Sequence, residues 1–240
     1  MYGIHFREAD KIFDEKFAQE RIAHRSWPLY ASYTEDLMLR NTKKWGNKYS
    51  EERPVMWDMT NLPAYAFSDT DLQRLTYSEY YGMNCLKGGV SVQLCGWMGT
   101  ADLWPGRVTD SDYNRREGYL ERQREFQEND KVIRNGEEVN VPWLNIYDKG
   151  YHAHMAAWSN GNQRVLQPVW AKSGERFTRM DTITSASVAT DRGGNERAVN
   201  VAKRSGYISR GFRPNMCPTR MNTAWIVSSF RANFKYEPVL

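Results

Sequence analysis

Short apolar runs broken by glycine, proline and polar turns fill the middle of the chain, and charged stretches with helical spacing lie to either side. Residues 4–25 read as a charged helix with Ile4, Ile12, Phe13, Phe17 and Ile22 on one face. Residues 28–44 read as a second helix, with Pro28 at an early position and Leu29, Tyr33, Leu37 and Leu39 on a stripe. A polar connector ends at Pro54. VMWD (55–58) then reads as a strand whose last residue is Asp58, and NLPAYAF (61–67) turns away. Residues 88–106 read as a strand, a turn near Gly99 and a second strand, with Val90, Val92, Leu94 and Gly96 on one face. Residues 110–129 form a polar helix that Asp110 or Ser111 caps. Asn135-Gly136, between two short β-like runs, marks a hairpin. Residues 143–147 make another apolar strand, ending on Asp148. HAHMAAW (152–158) reads as a helix, QRVLQPVWA (163–171) as a strand and 184–205 as a helix. This order predicts an α/β fold, a mixed sheet with helices on its faces. The expected division is a helical segment over 1–53 and an α/β domain over 54–240.

Composition narrows the classes. The chain has 240 residues and is 40% hydrophobic and 13% aromatic, too rich for a disordered protein. No run approaches the roughly 18 apolar residues of a membrane span, and MYGIHFREADKIF lacks the apolar stretch of a signal peptide. Cys85, Cys95 and Cys217 form no CxxC pair, and there is no Asn-x-Ser/Thr sequon. Together these features predict an intracellular protein without a disulfide framework or a thiolate zinc site.

Charge is divided unevenly. Residues 1–160 carry 20 basic and 24 acidic side chains, whereas residues 161–240 carry 13 and 5. A basic C-terminal third on an acidic body suits a polyanionic partner, nucleic acid before membrane; a solvated helix face is the plainer reading.

The candidate chemistry lies in three acids. Asp58 and Asp148 each close an apolar strand, and in α/β sheets sites gather at strand ends. Glu196 lies on a helix that can cross that end. Converging carboxylates repel unless a hard cation joins them, and Mg²⁺ takes carboxylate oxygens together with water and phosphate. Taken singly, each acid also fits a turn, a cap or a solvated helix face. His152 and His154, two apart, point in different directions on a helix, and Asp110 and Asp112 are explained by capping. Trp97, Trp104, Trp143, Trp158, Trp170 and Trp225 read as core. There is no phosphate loop, GxGxxG or GxSxG to support a kinase, dehydrogenase or serine hydrolase.

Four segments occur in a telling order: WDMTNLPAY (57–65), TYSEYYGMNCLKGG through WPGRVTDSDY (76–113), IYDKGY (146–151) and RGGNERAVNVAKRSGYISRG (192–211). They supply an acid followed by a Thr, a Ser-x-x-Tyr/Lys and Pro-Gly-x-x-x-Asp stretch, an Asp-x-Gly-Tyr-like signature, and an Arg-x-x-x-Glu-Arg-x-x-x-x-x-Lys pattern. From about Asp58 to Asn233 the chain resembles the catalytic domain of PIF/Harbinger-type DDE transposases, the DDE superfamily endonucleases. The resemblance implies an RNase H-like fold in which Asp58, Asp148 and Glu196 hold two divalent cations, Mg²⁺ or Mn²⁺, for cleavage and strand transfer of DNA. It implies DNA contacts from Lys87, Arg107, Arg192, Arg197, Lys203 and Arg204. It also implies double-stranded DNA at transposon ends and target as partner, a Myb-like DNA-binding partner protein, a homo-oligomer, a nuclear location and no membrane contact. A domesticated relative that binds DNA or protein without cutting is the alternative, and an RNase H-like nuclease acting on another polynucleotide is a third reading. The pattern departs from the family at Gly193 and Gly194. Either these glycines let backbone approach a partner, or the helix begins near Asn195.

Overall fold

The computed structural model describes residues 52–93, 98–117, 131–148, 151, 164–170, 174, 176–204, 206–213 and 218–235. The helices expected over 4–25, 28–44 and 152–158 fall outside these residues, as do residues 1–51 of the expected N-terminal segment, residues 118–129 of the helix expected over 110–129, Leu94, Gly96, Cys95, Cys217, His152 and His154.

The expected mixed α/β architecture is present. The central strand, β1 (Arg53–Pro63), pairs antiparallel with β3 (Met83–Gln93) and parallel with β8 (Trp143–Ile146). β9 (Arg164–Leu166) extends the sheet parallel to β8. On the far side of β3 lie β2 (Tyr77–Ser78), β4 (Met98–Thr100) and β5 (Trp104–Pro105), all antiparallel to it. A separate hairpin joins β6 (Lys131–Arg134) to β7 (Glu137–Asn140). Its turn places Asn135 at φ 54 and Gly136 at φ 86, the two positive values that a two-residue hairpin loop needs.

The helices are α1 (Thr70–Thr76), α2 (Asp110–Glu117), α3 (Arg179–Lys203), α4 (Gly206–Ser209) and α5 (Pro218–Lys235). Apolar residues of α3 and α5 (Val188, Ala198, Ala202, Ala224, Trp225) bury one sheet face through Met56, Leu62, Val90, Val92, Leu144 and Ile146. The other face carries a cluster of Val55, Trp57, Ala101, Tyr113, Trp143, Tyr147 and Tyr151. Gly88 explains how closely α5 approaches β3, because a Cβ there would stand 2.8 Å from the Trp225 ring.

Several boundaries differ from the sequence expectation. β1 continues past Asp58 to Pro63 because β3 pairs with it along that stretch, from Val55 opposite Gln93 to Pro63 opposite Cys85. Gly99 is a strand residue opposite Ser91, so the expected turn is not there. Thr109, not Asp110 or Ser111, caps α2: its Oγ1 accepts from the Asp112 N–H at 3.1 Å. α3 begins five residues before the expected start, behind a capping box in which Thr178 and Asp181 satisfy each other's backbone N–H groups. It also runs unbroken through Gly193 and Gly194, so its start is not near Asn195.

Candidate functional site

The alternation of β1 decides where Asp58 points. Val55 and Trp57 enter the aromatic cluster, while Met56 and Leu62 enter the core beneath α3. Asp58 shares the parity of Met56 and Leu62, so it faces α3. On β8, Leu144 and Ile146 have that same facing, and Asp148 follows with the same parity. The parallel register sets Met56 opposite Ile146, a 90-residue offset that also separates Asp58 from Asp148. The two acids therefore lie at one level of neighbouring strands. β8 ends just before Asp148, and the Tyr147 N–H donates to the Leu166 carbonyl. Both acids line a cleft at the carboxyl end of this parallel pairing, Asp58 mostly buried and Asp148 half-exposed.

Arg192 of α3 joins the pair. Its guanidinium lies 3.1 Å from Asp148 Oδ1 and 3.7 Å from Asp58 Oδ2. The Met59 N–H donates to Asp58 Oδ1 at 2.8 Å. Burial nevertheless lifts the Asp58 pKa from 3.8 to about 6, against the pull of Arg192 and the Met59 N–H, and the charges of Asp148 and Asp110 add to the rise. Lys203 lies further along the same helix. Burial pushes its ammonium down while attraction to Asp58 opposes the shift, which sets Lys203 within electrostatic reach of that acid.

A cleft of about 570 Å³ opens over the acids, lined among others by Asp58, Asp148, Asn61, Lys87, Arg107 and Asp110. Lys87, buried on β3, lies 2.6 Å from Asp110 Oδ1. The Pro105-Gly106 turn closes one wall. A Cβ at Gly106 would lie 2.7 Å from the Cys85 carbonyl oxygen, so only glycine fits without a shift.

The sequence-proposed residues are not all brought together. Asp58 and Asp148 are paired. Glu196 lies one turn beyond Arg192 on α3, exposed to solvent. Among the described residues, no three His, Cys, Asp or Glu side chains are grouped closely enough to hold a metal ion. Of the six proposed DNA-contact cations, Lys87 is engaged with Asp110 and Arg192 with the two aspartates. Lys203 is half-buried, while Arg107, Arg197 and Arg204 are exposed. The capping explanation of Asp110 is replaced by its pairing with Lys87, which makes it a member of the cleft. The signal for it was the Pro-Gly-x-x-x-Asp spacing, which ties this acid to the turn that walls the site. No protein-family model, curated protein or solved structure matches the chain.

Among the described residues, no helix is long and apolar enough to cross a membrane.

Proposed function

We propose that the protein is a metal-dependent nuclease of the DDE type that cleaves and transfers DNA strands on an RNase H-like sheet. The observation that carries this reading is the Asp58–Asp148 pair, two carboxylates level with one another at the carboxyl ends of parallel strands, under the helix that supplies Arg192. The strand arrangement supports it: an antiparallel run β1–β3–β4 is joined through β1 to parallel β8 and β9. The donors fit hard divalent cations, because carboxylate oxygens are the ligands Mg²⁺ prefers; burial, with the charges of Asp148 and Asp110 adding to it, holds the Asp58 pKa up, and a bound cation would offset that cost. Bound cations would supply an activated water and neutralise charge developing on the phosphodiester.

Asp58 and Asp148 hold that position from two strands. Arg192 balances their charge, and Lys203, Arg197 and Arg204 offer cations to the phosphate backbone along α3. Action on double-stranded transposon ends as a nuclear homo-oligomer, with a Myb-like partner protein, belongs to the same proposal and rests on the family resemblance.

Asp148→Asn tests it directly. Nicking of duplex DNA in Mg²⁺ or Mn²⁺ should fall at least about 100-fold, since even second-shell partners of metal ligands cost 10–100-fold. An unchanged rate would remove the mechanism. Parallel assays on RNA and on an RNA–DNA hybrid assign the polynucleotide. The Arg192 bridge, with Glu196 outside the pair, favours a second reading: a DNA-binding protein that does not cut. Mn²⁺ titration separates the two, because binding of DNA without binding of metal selects the second.

A further inference from the structure

The rim of the cleft carries exposed aromatic rings as well as acids. Tyr77, Tyr80 and Tyr81 all line it, and Tyr80 is 88% exposed and Tyr81 51%. The last two rings pack edge to face, with centroids 4.8 Å apart. Their backbone is held between β2 and β3 by the Gly82 N–H, which donates to the Ser78 carbonyl at 2.8 Å, with Gly82 in the left-handed region at φ 65. Exposing two large rings on a short, hydrogen-bonded turn beside a polar cleft does nothing for the core, whereas a planar ligand would cover them.

We propose that Tyr80 and Tyr81 form a stacking ledge for unpaired bases, so that the preferred substrate of the cleft is a DNA end or junction with a short unpaired stretch rather than continuous duplex. The inference rests on the nuclease reading and names the form of its substrate. Three features of the site match that occupant. The rings offer the sequence-tolerant stacking surface that single-stranded nucleic-acid sites use. Arg107, exposed in the same cleft, supplies a cation for the phosphates. Asp58 and Asp148 line the same cleft as the ledge, so a strand whose base stacks on the tyrosines can lead its backbone toward the acids. Bases inside a continuous duplex, stacked on both neighbours, present no free face to the tyrosines.

The test is binding of the full chain, in EDTA so that metal-dependent cleavage does not intervene, to a labelled blunt duplex and to the same duplex with a short unpaired 3′ tail. The tail should improve affinity about tenfold, the scale of one or two stacked bases. The double variant Tyr80→Ala/Tyr81→Ala should erase that gain and leave blunt-duplex affinity unchanged, while Tyr80→Phe/Tyr81→Phe should keep it. Rising salt should weaken both complexes. If duplex binds and the tail adds nothing, or if the alanine variant keeps the gain, the ledge is overturned and the nuclease reading stands. If neither DNA binds, the nuclease reading falls and the ledge with it.

Discussion

On β1, Val55 and Trp57 turn to one face of the sheet and Met56 and Asp58 to the other. The first face is closed. Trp57 is buried, its Nε1–H donates to Asn145 Oδ1 at 3.0 Å, and its ring stacks on Tyr147. The second face starts the same way, with Met56 fully buried, and then places a carboxylate where the next apolar residue belongs. That carboxylate is poorly solvated, lies close to Asp148, and depends on Arg192 for compensation. Adjacent residues of one strand therefore serve opposite ends: the aromatic face supplies stability, and the acidic face gives some of it up. Such a local conflict between burial and charge is typical of functional sites.

Breaking the stable face should have the largest effect. Trp57→Ala removes a buried indole and leaves the Asn145 amide oxygen without that donor, and it should cost about 3–5 kcal/mol in urea unfolding. A cost below about 1 kcal/mol would mean that the aromatic cluster repacks, and that the contrast between faces is smaller than drawn.

The acidic face should respond in the opposite sense and should be read through pH. The Asp58 pKa is raised from 3.8 to about 6 in the folded protein, so folding favours its protonated form. Its contribution is fully present below pH 3.8 and is lost as pH rises through about 6. Between those limits the wild type should lose about 3 kcal/mol relative to Asp58→Asn, taking 1.36 kcal/mol per pH unit of displacement. Arg192 keeps Asp148 as its partner in the variant. Unfolding of both proteins across this range, in EDTA, gives the difference directly. Parallel curves would show that Arg192 already compensates the buried charge in full.

This comparison also separates what the chain displays locally from what only the fold assembles. The β6–β7 hairpin was legible because Asn135-Gly136 dictates its turn regardless of the rest of the molecule. The aspartate pair was legible in outline, since an acid closing an apolar run signals a strand-end site. The later half of β1 was not, because Asn61 and Pro63 look like turn residues and only pairing with β3 holds them extended. The start of α3 was written in Thr178 and Asp181, a capping pair with Asp in the place where Glu or Gln is the stronger signal. The role of Arg192 was illegible for a different reason. In sequence it is one basic residue in a basic segment, and only the crossing of α3 over β1 and β8 makes it the counter-ion of two acids. Asp110 shows the same limit: a cap and a cleft acid look alike until Thr109 is seen to provide the cap.

The smallest expected effect concerns the pair of glycines beside Arg192, inside α3. Glycine within a helix costs up to about 1 kcal/mol relative to alanine through the backbone freedom it loses. A Cβ added at Gly193 meets nothing within 4 Å, so Gly193→Ala should raise stability by about 0.5–1 kcal/mol, seen as a higher urea midpoint at unchanged slope. A lower midpoint would mean that α3 departs from regular helix at this point in solution. The same variant examines why the acidic face tolerates two poor helix formers between Arg192 and Glu196. If stability rises and DNA nicking is unchanged, the glycines are neutral and the exposed position of Glu196 is its working position. If stability rises and nicking falls, the helix must bend there to carry Glu196 toward Asp58 and Asp148, and the stability given up at Gly193 belongs to the same trade that placed an aspartate under α3.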